Sequence, residues 1–149
     1  MASFDQSLPM ILHRALDAVM PEFRELFASH NLTDQQWRVL RVLWEAKKVT
    51  SAELSARTLL PAPSLVGIID RLENKGLVSR LRSVDDRRIT FVVATEAGRA
   101  LQDRLVPHAE DIHERLRASV SEAEWRGMEN TLGKIAAHMN EEPSTRKTG

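Results

Sequence analysis

Residues 61–88, PAPSLVGIIDRLENKGLVSRLRSVDDRR, limit the fold of this chain more than any other stretch. The prolines at its start can begin a helix, because a proline in the first helical turn gives up no hydrogen bond. An amphipathic segment follows, and Gly76 can end it in the left-handed conformation that glycine adopts without strain. Two alternating, strand-like segments then flank the polar turn 83–87. The stretch therefore predicts a helix over 61–75 followed by an arginine-bearing β-hairpin.

Two capping boxes predict the helices that precede this stretch. Thr33 and Thr50 are each followed three residues later by Gln or Glu. In such a box the hydroxyl and the longer side chain satisfy the first free amides of a helix. The first helix is predicted to end near residue 46 and the second near residue 58.

Longer helices are predicted on either side. Apolar side chains recur at helical spacing through residues 6–30, where Pro21 predicts a kink or a break, and through residues 95–140, where Ser121 begins a third capping box. These helices carry more apolar surface than so small a core can bury, so they are predicted to pack against a second copy of the chain. Residues 141–149 are predicted to form a disordered tail.

Taken in order, these elements predict a mainly α fold with a small β-hairpin, in the α+β class. A short helix, a tight turn and the helix over 61–75 have helix-turn-helix spacing, and the hairpin takes the place of the wing. We expect one domain over residues 1–149, with a winged helix-turn-helix lobe for DNA binding at 33–94. In a two-fold dimer, two recognition helices would lie about one turn of DNA apart, which matches a pseudo-palindromic operator.

Composition excludes several other classes of protein. The chain has no cysteine, which excludes disulfides, thiolate metal sites and cysteine nucleophiles. No apolar run approaches the roughly 20 residues of a membrane span, and the start lacks the features of a signal peptide, so a cytoplasmic location is expected. The sequence contains neither metal-ligand spacing nor a catalytic constellation, and we expect no cofactor and no enzymatic activity.

The charge of the chain is unevenly distributed although its net value is zero. Between Arg57 and Phe91, seven Lys/Arg stand against four Asp/Glu, a net of +3. Between Thr95 and Glu142, six stand against ten, a net of −4. Such asymmetry is typical of a DNA-binding protein with an acidic far side, although a solvated charged face is the simpler explanation of either half.

With this order of elements, the sequence resembles the MarR family of transcriptional regulators over nearly its whole length. The residues that carry the resemblance are Leu54, Ala56, Arg71, Leu72, Glu73, Gly76, Leu77, Val78, Arg80, Asp86, Arg87, Arg88, Thr95 and Gly98. Residues 32–38 with Arg41, and residues 63–68, are similar to the branch that regulates homoprotocatechuate and hydroxyphenylacetate catabolism. The resemblance implies a homodimeric repressor of an aromatic-acid catabolic operon, released by a phenolic carboxylate.

The resemblance also implies which residues contact DNA. Pro63 and Ser64 lie near the start of the recognition helix, and Asp86 is expected to orient Arg88 into a narrow minor groove. The alternatives are prolines that only initiate a helix, and an Asp–Arg pair in a solvated turn that adds little stability. The expected DNA contacts are Ser51, Ala62, Pro63, Ser64, Val66, Arg71, Arg80, Arg82, Asp86, Arg87 and Arg88.

A ligand site is predicted at Trp37 and Arg41, which are four residues apart and share one helix face. Trp37 offers a flat apolar wall, and Arg41 offers a planar fork that fits the carboxylate of an aromatic acid. The alternative is a core tryptophan beside a structural ion pair. The resemblance further implies Ser7 and His113 at this site, where His113 would hydrogen-bond a phenolic hydroxyl.

Three functions therefore stay open at the level of sequence. The chain is an aromatic-acid-responsive repressor, a regulator of the same fold with another ligand or none, or an interaction module that uses the winged helix without DNA. Ligand binding at Trp37 separates the first two functions. Salt-dependent binding of duplex DNA separates both from the third.

Overall fold

The computed structural model describes residue 1 and residues 3–141. Among these residues, six α-helices and one three-stranded antiparallel sheet follow a short 3-10 helix at Phe4–Gln6. In chain order the elements are α1 (Leu8–Ser29), α2 (Asp34–Glu45), β1 (Val49–Thr50), α3 (Ser51–Thr58), α4 (Ala62–Asn74), β2 (Val78–Arg82), β3 (Thr90–Ala94), α5 (Glu96–Ala118) and α6 (Glu122–Glu141). The predicted mainly α fold with a winged helix-turn-helix is confirmed.

The local signals for helix ends are found where the sequence predicts them. Thr33 Oγ1 accepts the N–H of Gln36 at 3.1 Å, and Gln36 Oε1 accepts the N–H of Thr33 at 3.2 Å. Thr50 and Glu53 form the same reciprocal pair at the start of α3. Gly76, two residues after the end of α4, has a φ of 74°, the left-handed conformation predicted for this glycine.

The terminal helices differ from prediction in two places. α1 continues through Pro21, so the helix does not break there, and the alternative of a kink stays a prediction. Proline removes one amide donor, and the flanking turns of this 22-residue helix keep their own hydrogen bonds. α6 includes Glu141, and the rest of the predicted tail, 142–149, lies outside the described residues. No helix in the described part is long and apolar enough for a membrane crossing.

Contacts group the chain into two compact units, Met1–Ala109 and Glu110–Gly149, so a single domain over 1–149 stays a prediction. In the first unit, β3 is the central strand of the order β1-β3-β2, and Val92 pairs with Val49 on one side and with Arg80 on the other. The helices pack around this sheet through side chains with no exposed surface, namely Leu40, Leu43, Leu54, Leu72, Val92 and Leu105.

Gly98, in the first turns of α5, is expected to tolerate no side chain. A Cβ built there would lie 2.2 Å from the carbonyl oxygen of Leu77, which also accepts the N–H of Thr95 and therefore cannot move freely. We expect Gly98→Ala to lower the free energy of unfolding by about 1–3 kcal/mol, the range for overpacking. Urea denaturation at fixed protein concentration measures the change.

Gly67→Ala is the matched control for this prediction. A Cβ on Gly67 would meet only Arg71 Nη1, at the ordinary distance of 3.9 Å. Replacing a glycine within a helix gains up to about 1 kcal/mol, so this variant should be as stable as the unmodified protein or more so. Equal unfolding midpoints for the two variants would contradict the close approach at Gly98.

Candidate nucleic-acid interface

The turn between α3 and α4 is held by side chains of α3. Ser55 Oγ donates to the carbonyl oxygen of Leu60 at 2.6 Å, and Thr58 Oγ1 accepts the N–H of Leu60 at 3.4 Å. Leu59 ends α3 in the left-handed conformation, with a φ of 59°. These bonds set the direction in which α4 leaves the turn.

The recognition helix α4 has a buried side and an open side. Its buried side chains are Leu65, Ile68, Ile69 and Leu72. The predicted contact residues of this helix are exposed, namely Ala62, Pro63, Ser64, Val66 and Arg71. Ser51, the first residue of α3, is exposed as well. Helix packing thus leaves the predicted DNA-contacting residues of α4 accessible to a partner.

In the wing, Asp86 holds Arg88 by three hydrogen bonds. Asp86 Oδ1 accepts the backbone N–H and Nε–H of Arg88, and Oδ2 accepts Nη2–H, each at 3.0 Å. The side-chain hydrogen bond from Arg88 lowers the pKa of Asp86 and raises the pKa of Arg88, so the pair stays ionised at neutral pH. The Arg88 side chain is nevertheless 90% exposed. Its guanidinium is therefore oriented and still open to a partner.

The other predicted arginines of the hairpin fall into two groups. Arg82 and Arg87 are exposed and form no ion pair among the described residues. Arg80 instead forms ion pairs with two carboxylates of α4, Asp70 at 2.6 Å and Glu73 at 3.1 Å. Open positive charge on the wing therefore lies at Arg82, Arg87 and Arg88.

Trp37 and Arg41 line an open groove of about 410 Å³ within the first unit. Glu45 pairs there with both Arg41, at 3.2 Å, and Arg57, at 2.5 Å. The residues that line the groove are Trp37, Arg38, Arg41, Val42, Glu45, Arg57, Thr58 and Leu59. Three guanidinium groups against one carboxylate leave the groove positively charged, which suits an anionic ligand.

Trp37 also belongs to the core. Its ring stacks on Phe27 with centroids 4.6 Å apart and meets the ring of Trp44 edge-on at 5.5 Å. The Trp44 indole in turn donates to the carbonyl oxygen of Gly98 at 3.0 Å. Trp37 is therefore half-buried in an aromatic cluster while it contributes to the wall of the groove.

Ser7 and His113 are not among the residues that line this groove. The Ser7 hydroxyl donates to the carbonyl oxygen of Phe4 at 2.7 Å, at the start of α1. His113 belongs to the second unit, where its ring meets that of Trp125 edge-on at 5.5 Å. Their predicted part in ligand binding stays a prediction.

Sequence reasoning missed the part of the groove that α3 supplies. Arg57 is separated by 12 residues from Glu45, its ion-pair partner, and Arg38 donates to the carbonyl oxygen of Thr58 across 20 residues. Leu59 lies in the turn itself and is highly exposed. No local sequence spacing predicts these contacts, because the packing of α3 on α2 brings the residues together.

Comparison with known proteins gives a consistent result. The sequence profile of the MarR family matches residues 30–89. The homoprotocatechuate degradative operon repressor of Escherichia coli is 34% identical over 131 residues, 88% of this chain and 88% of the repressor. NadR in complex with 4-hydroxyphenylacetate is 28% identical with a TM-score of 0.77, over 90% of this chain and 98% of that one. BpsR of Bordetella bronchiseptica, whose DNA binding is regulated by 6-hydroxynicotinic acid, is 26% identical with a TM-score of 0.82, over 91% and 97%.

Proposed function

The chain belongs to the MarR family of transcriptional regulators, and we propose that it acts as a homodimeric repressor whose operator complex is released by an aromatic carboxylate. The observation that carries the DNA-binding part is the wing arginine. Arg88 is oriented by Asp86, yet its side chain remains open to a partner. An arginine held in this way loses little conformational freedom when it enters a narrow minor groove.

In the proposed complex, α4 lies in the major groove and the wing reaches the adjacent minor groove. Pro63, Ser64 and Val66 then face base edges, where Ser64 offers a hydroxyl and Val66 offers only apolar contact. Arg82 and Arg87 meet phosphates. Because few polar groups on α4 are available for bases, DNA shape contributes to the choice of operator.

Dimerisation is supported by apolar side chains that the isolated chain leaves exposed. On α1 these are Leu8, Ile11, Leu12 and Leu16, and on α6 they are Met128, Ile135 and Met139. None of the α6 side chains is buried in the chain itself. Rows of this kind on two helices are typical of surfaces that a second subunit covers. A pair of lobes then meets a pseudo-palindromic operator.

The ligand part of the proposal rests on the groove beside Trp37. Its positive charge and aromatic wall suit an aromatic carboxylate, the class of ligand that the NadR relative binds. Three residues of the groove wall connect it to the turn into α4: Arg57 and Thr58 end α3, and Leu59 lies in the turn itself. A ligand that contacts these residues differently in two lobe orientations shifts the dimer between them, whereas equal affinity would shift nothing.

A duplex selected by the protein from a random library supplies the DNA for the test. We expect tight, salt-sensitive binding of the selected duplex and its release on titration with 4-hydroxyphenylacetate. Failure to select any duplex would remove the DNA-binding proposal. If no hydroxyphenylacetate changes the DNA affinity, the ligand part of the proposal fails and the DNA-binding part remains.

Arg41→Gln is expected to weaken the binding of 4-hydroxyphenylacetate about 10- to 100-fold, since a charge-assisted hydrogen bond to its carboxylate is lost. Isothermal titration without DNA measures the change. Arg24→Gln is the matched control, because Arg24 also forms a surface ion pair, with Asp34 at 2.8 Å, but lies outside the groove. Equal affinities of the two variants would argue against the groove as the ligand site.

A regulator with another ligand or none is the second candidate. It is favoured by the fact that Arg41 and Trp37 already have partners in the chain, Glu45 and the rings of Phe27 and Trp44. In that case DNA binding persists at every concentration of 4-hydroxyphenylacetate, and Arg41→Gln changes neither DNA affinity nor its salt dependence.

A further inference from the structure

Arg80 is bound to the recognition helix from both its side chain and its backbone. Its Nη2 lies 2.6 Å from Asp70 Oδ1, and its Nη1 lies 3.1 Å from Glu73 Oε1. Its backbone N–H donates to the second oxygen of Glu73, Oε2, at 3.2 Å. We propose that Arg80 is a positioning residue that clamps the wing to the recognition helix and makes no DNA contact of its own.

The place of Arg80 in the sheet explains why a clamp is useful there. β2 lies at the edge of the order β1-β3-β2, and an edge strand has backbone groups without a strand partner. Glu73 accepts one of these amides, that of Arg80, from the last turns of α4. α4 and β2 also share the core, through Leu72 and Val78, and are joined by the tight turn at Gly76, where the N–H of Leu77 donates to the carbonyl oxygen of Leu72. The three contacts of Arg80 add a polar connection on the surface that fixes the start of the wing.

Exposure and charge separate Arg80 from the wing arginines. The Arg80 side chain is 30% exposed, compared with 90% for Arg88, and both of its terminal nitrogens already donate to carboxylates. Asp70 and Glu73 are themselves exposed on the lobe that meets DNA in the proposed complex. Without Arg80 their charges would repel phosphates, and Arg71 on the same helix forms no ion pair with them in the described part. Arg80 therefore neutralises this acidic pair as well as holding the wing.

The first test needs no DNA and is independent of the proposed function. Ser83 and Ile89 have amides hydrogen-bonded within the hairpin, so their hydrogen exchange reports how well the wing is held. Arg80→Gln should raise these exchange rates about 5-fold or more, while buried amides of α2 exchange as before. Arg82→Gln, two residues further along the same strand, should leave the rates unchanged. Unchanged exchange at the wing in Arg80→Gln would overturn the clamp, whatever the DNA results.

Arg80→Lys extends this test if Arg80→Gln lowers the thermal midpoint too far for comparison. Lysine keeps the charge but lacks the planar fork that reaches both carboxylates. If Arg80 is a clamp, the Ser83 and Ile89 amides of Arg80→Lys should exchange faster than those of the unmodified protein and more slowly than those of Arg80→Gln. Rates equal to those of the unmodified protein would show that charge alone suffices and would overturn the two-carboxylate clamp.

The second test rests on the proposed function and uses the selected duplex. Arg80→Gln should weaken binding about 10-fold or more, and adding Asp70→Asn and Glu73→Gln should recover part of the loss. The same pair of substitutions in the unmodified protein should not tighten binding, so the cycle is non-additive. Arg82→Gln should lower the slope of log affinity against log salt by about 0.9, as one lost phosphate contact does, and Arg80→Gln should lower it less.

A loss of about 0.9 in the salt slope for Arg80→Gln, with additive effects of the acidic substitutions, would make Arg80 a phosphate contact and overturn the proposal. If the unmodified protein selects no duplex, the proposed function fails, and the exchange experiment alone decides the clamp.

Discussion

Arg88→Ala is expected to weaken binding of the selected duplex about 10- to 100-fold, the range for an arginine that contacts the inside of a groove. The reason is that Asp86 already orients Arg88 in the unbound wing, through one hydrogen bond to its backbone and two to its guanidinium. Asp86→Asn should weaken DNA binding nearly as much, because Arg88 is still present but its guanidinium is no longer oriented. The double variant should be little worse than either single one. Fluorescence anisotropy at several salt concentrations measures all three variants.

Arg87→Ala is the matched control in the wing. Arg87 is adjacent to Arg88, exposed and without an ion pair among the described residues. Its replacement should therefore weaken DNA binding less, and the change should appear chiefly in the slope of log affinity against log salt. An equal or larger loss for Arg87→Ala would contradict the special place of Arg88.

The effect of Asp86 should also be independent of pH over the usual range. The pKa of Asp86 is lowered by Arg88, so the pair is complete above the ordinary carboxyl pKa and is lost only as pH falls through the lowered value. The ratio of affinities between the unmodified protein and Asp86→Asn should therefore stay constant from about pH 5 to 8.

Leu12→Glu together with Leu16→Glu is expected to convert the proposed dimer into a monomer. Both leucines are exposed on α1 in the single chain, so glutamate there leaves the core of the protomer intact. In a dimer each would bury an unpaired charge, which is strongly unfavourable. A monomer reaches one half-site at a time, so affinity for the selected duplex should fall ~100-fold or more through lost avidity. Sedimentation gives the mass, and anisotropy gives the affinity.

Ala28→Glu provides the control for this result. Ala28 is exposed on the same helix, about 160° around the axis from Leu12 at 100° per residue. The variant should keep both the dimer mass and the DNA affinity. A double leucine variant that remains dimeric would remove α1 from the proposed interface.

The sequence predicted the parts of this protein whose partners are near in the chain. The capping boxes at Thr33, Thr50 and Ser121 are all present, because each links residues three apart. Gly76 is left-handed for the same local reason. Asp86 and Arg88, two residues apart, form the pair that the family resemblance implied. Helices, hairpin and wing followed from these signals together with apolar periodicity.

Sequence reasoning was less successful where a role depends on packing between elements. It placed Arg80 with the expected DNA contacts, which stays a prediction, but it did not predict the ion pairs of Arg80 with Asp70 and Glu73. It named Trp37 and Arg41 but missed Arg57, which reaches the same groove only because α3 packs on α2. The burial of Val92 and the close approach at Gly98 likewise depend on strand register and on how α5 begins.

The sequence alone thus determined the order of elements, the ends of the helices and the Asp86–Arg88 wing, because hydrogen bonds over two or three residues form in almost any surroundings. Only the tertiary structure decided which arginines are open and which are neutralised. Arg80 meets Asp70 and Glu73 across ten and seven residues, after the turn at Gly76 has brought β2 back onto α4. Such partners are chosen by the packing of whole elements, which no short stretch of sequence specifies.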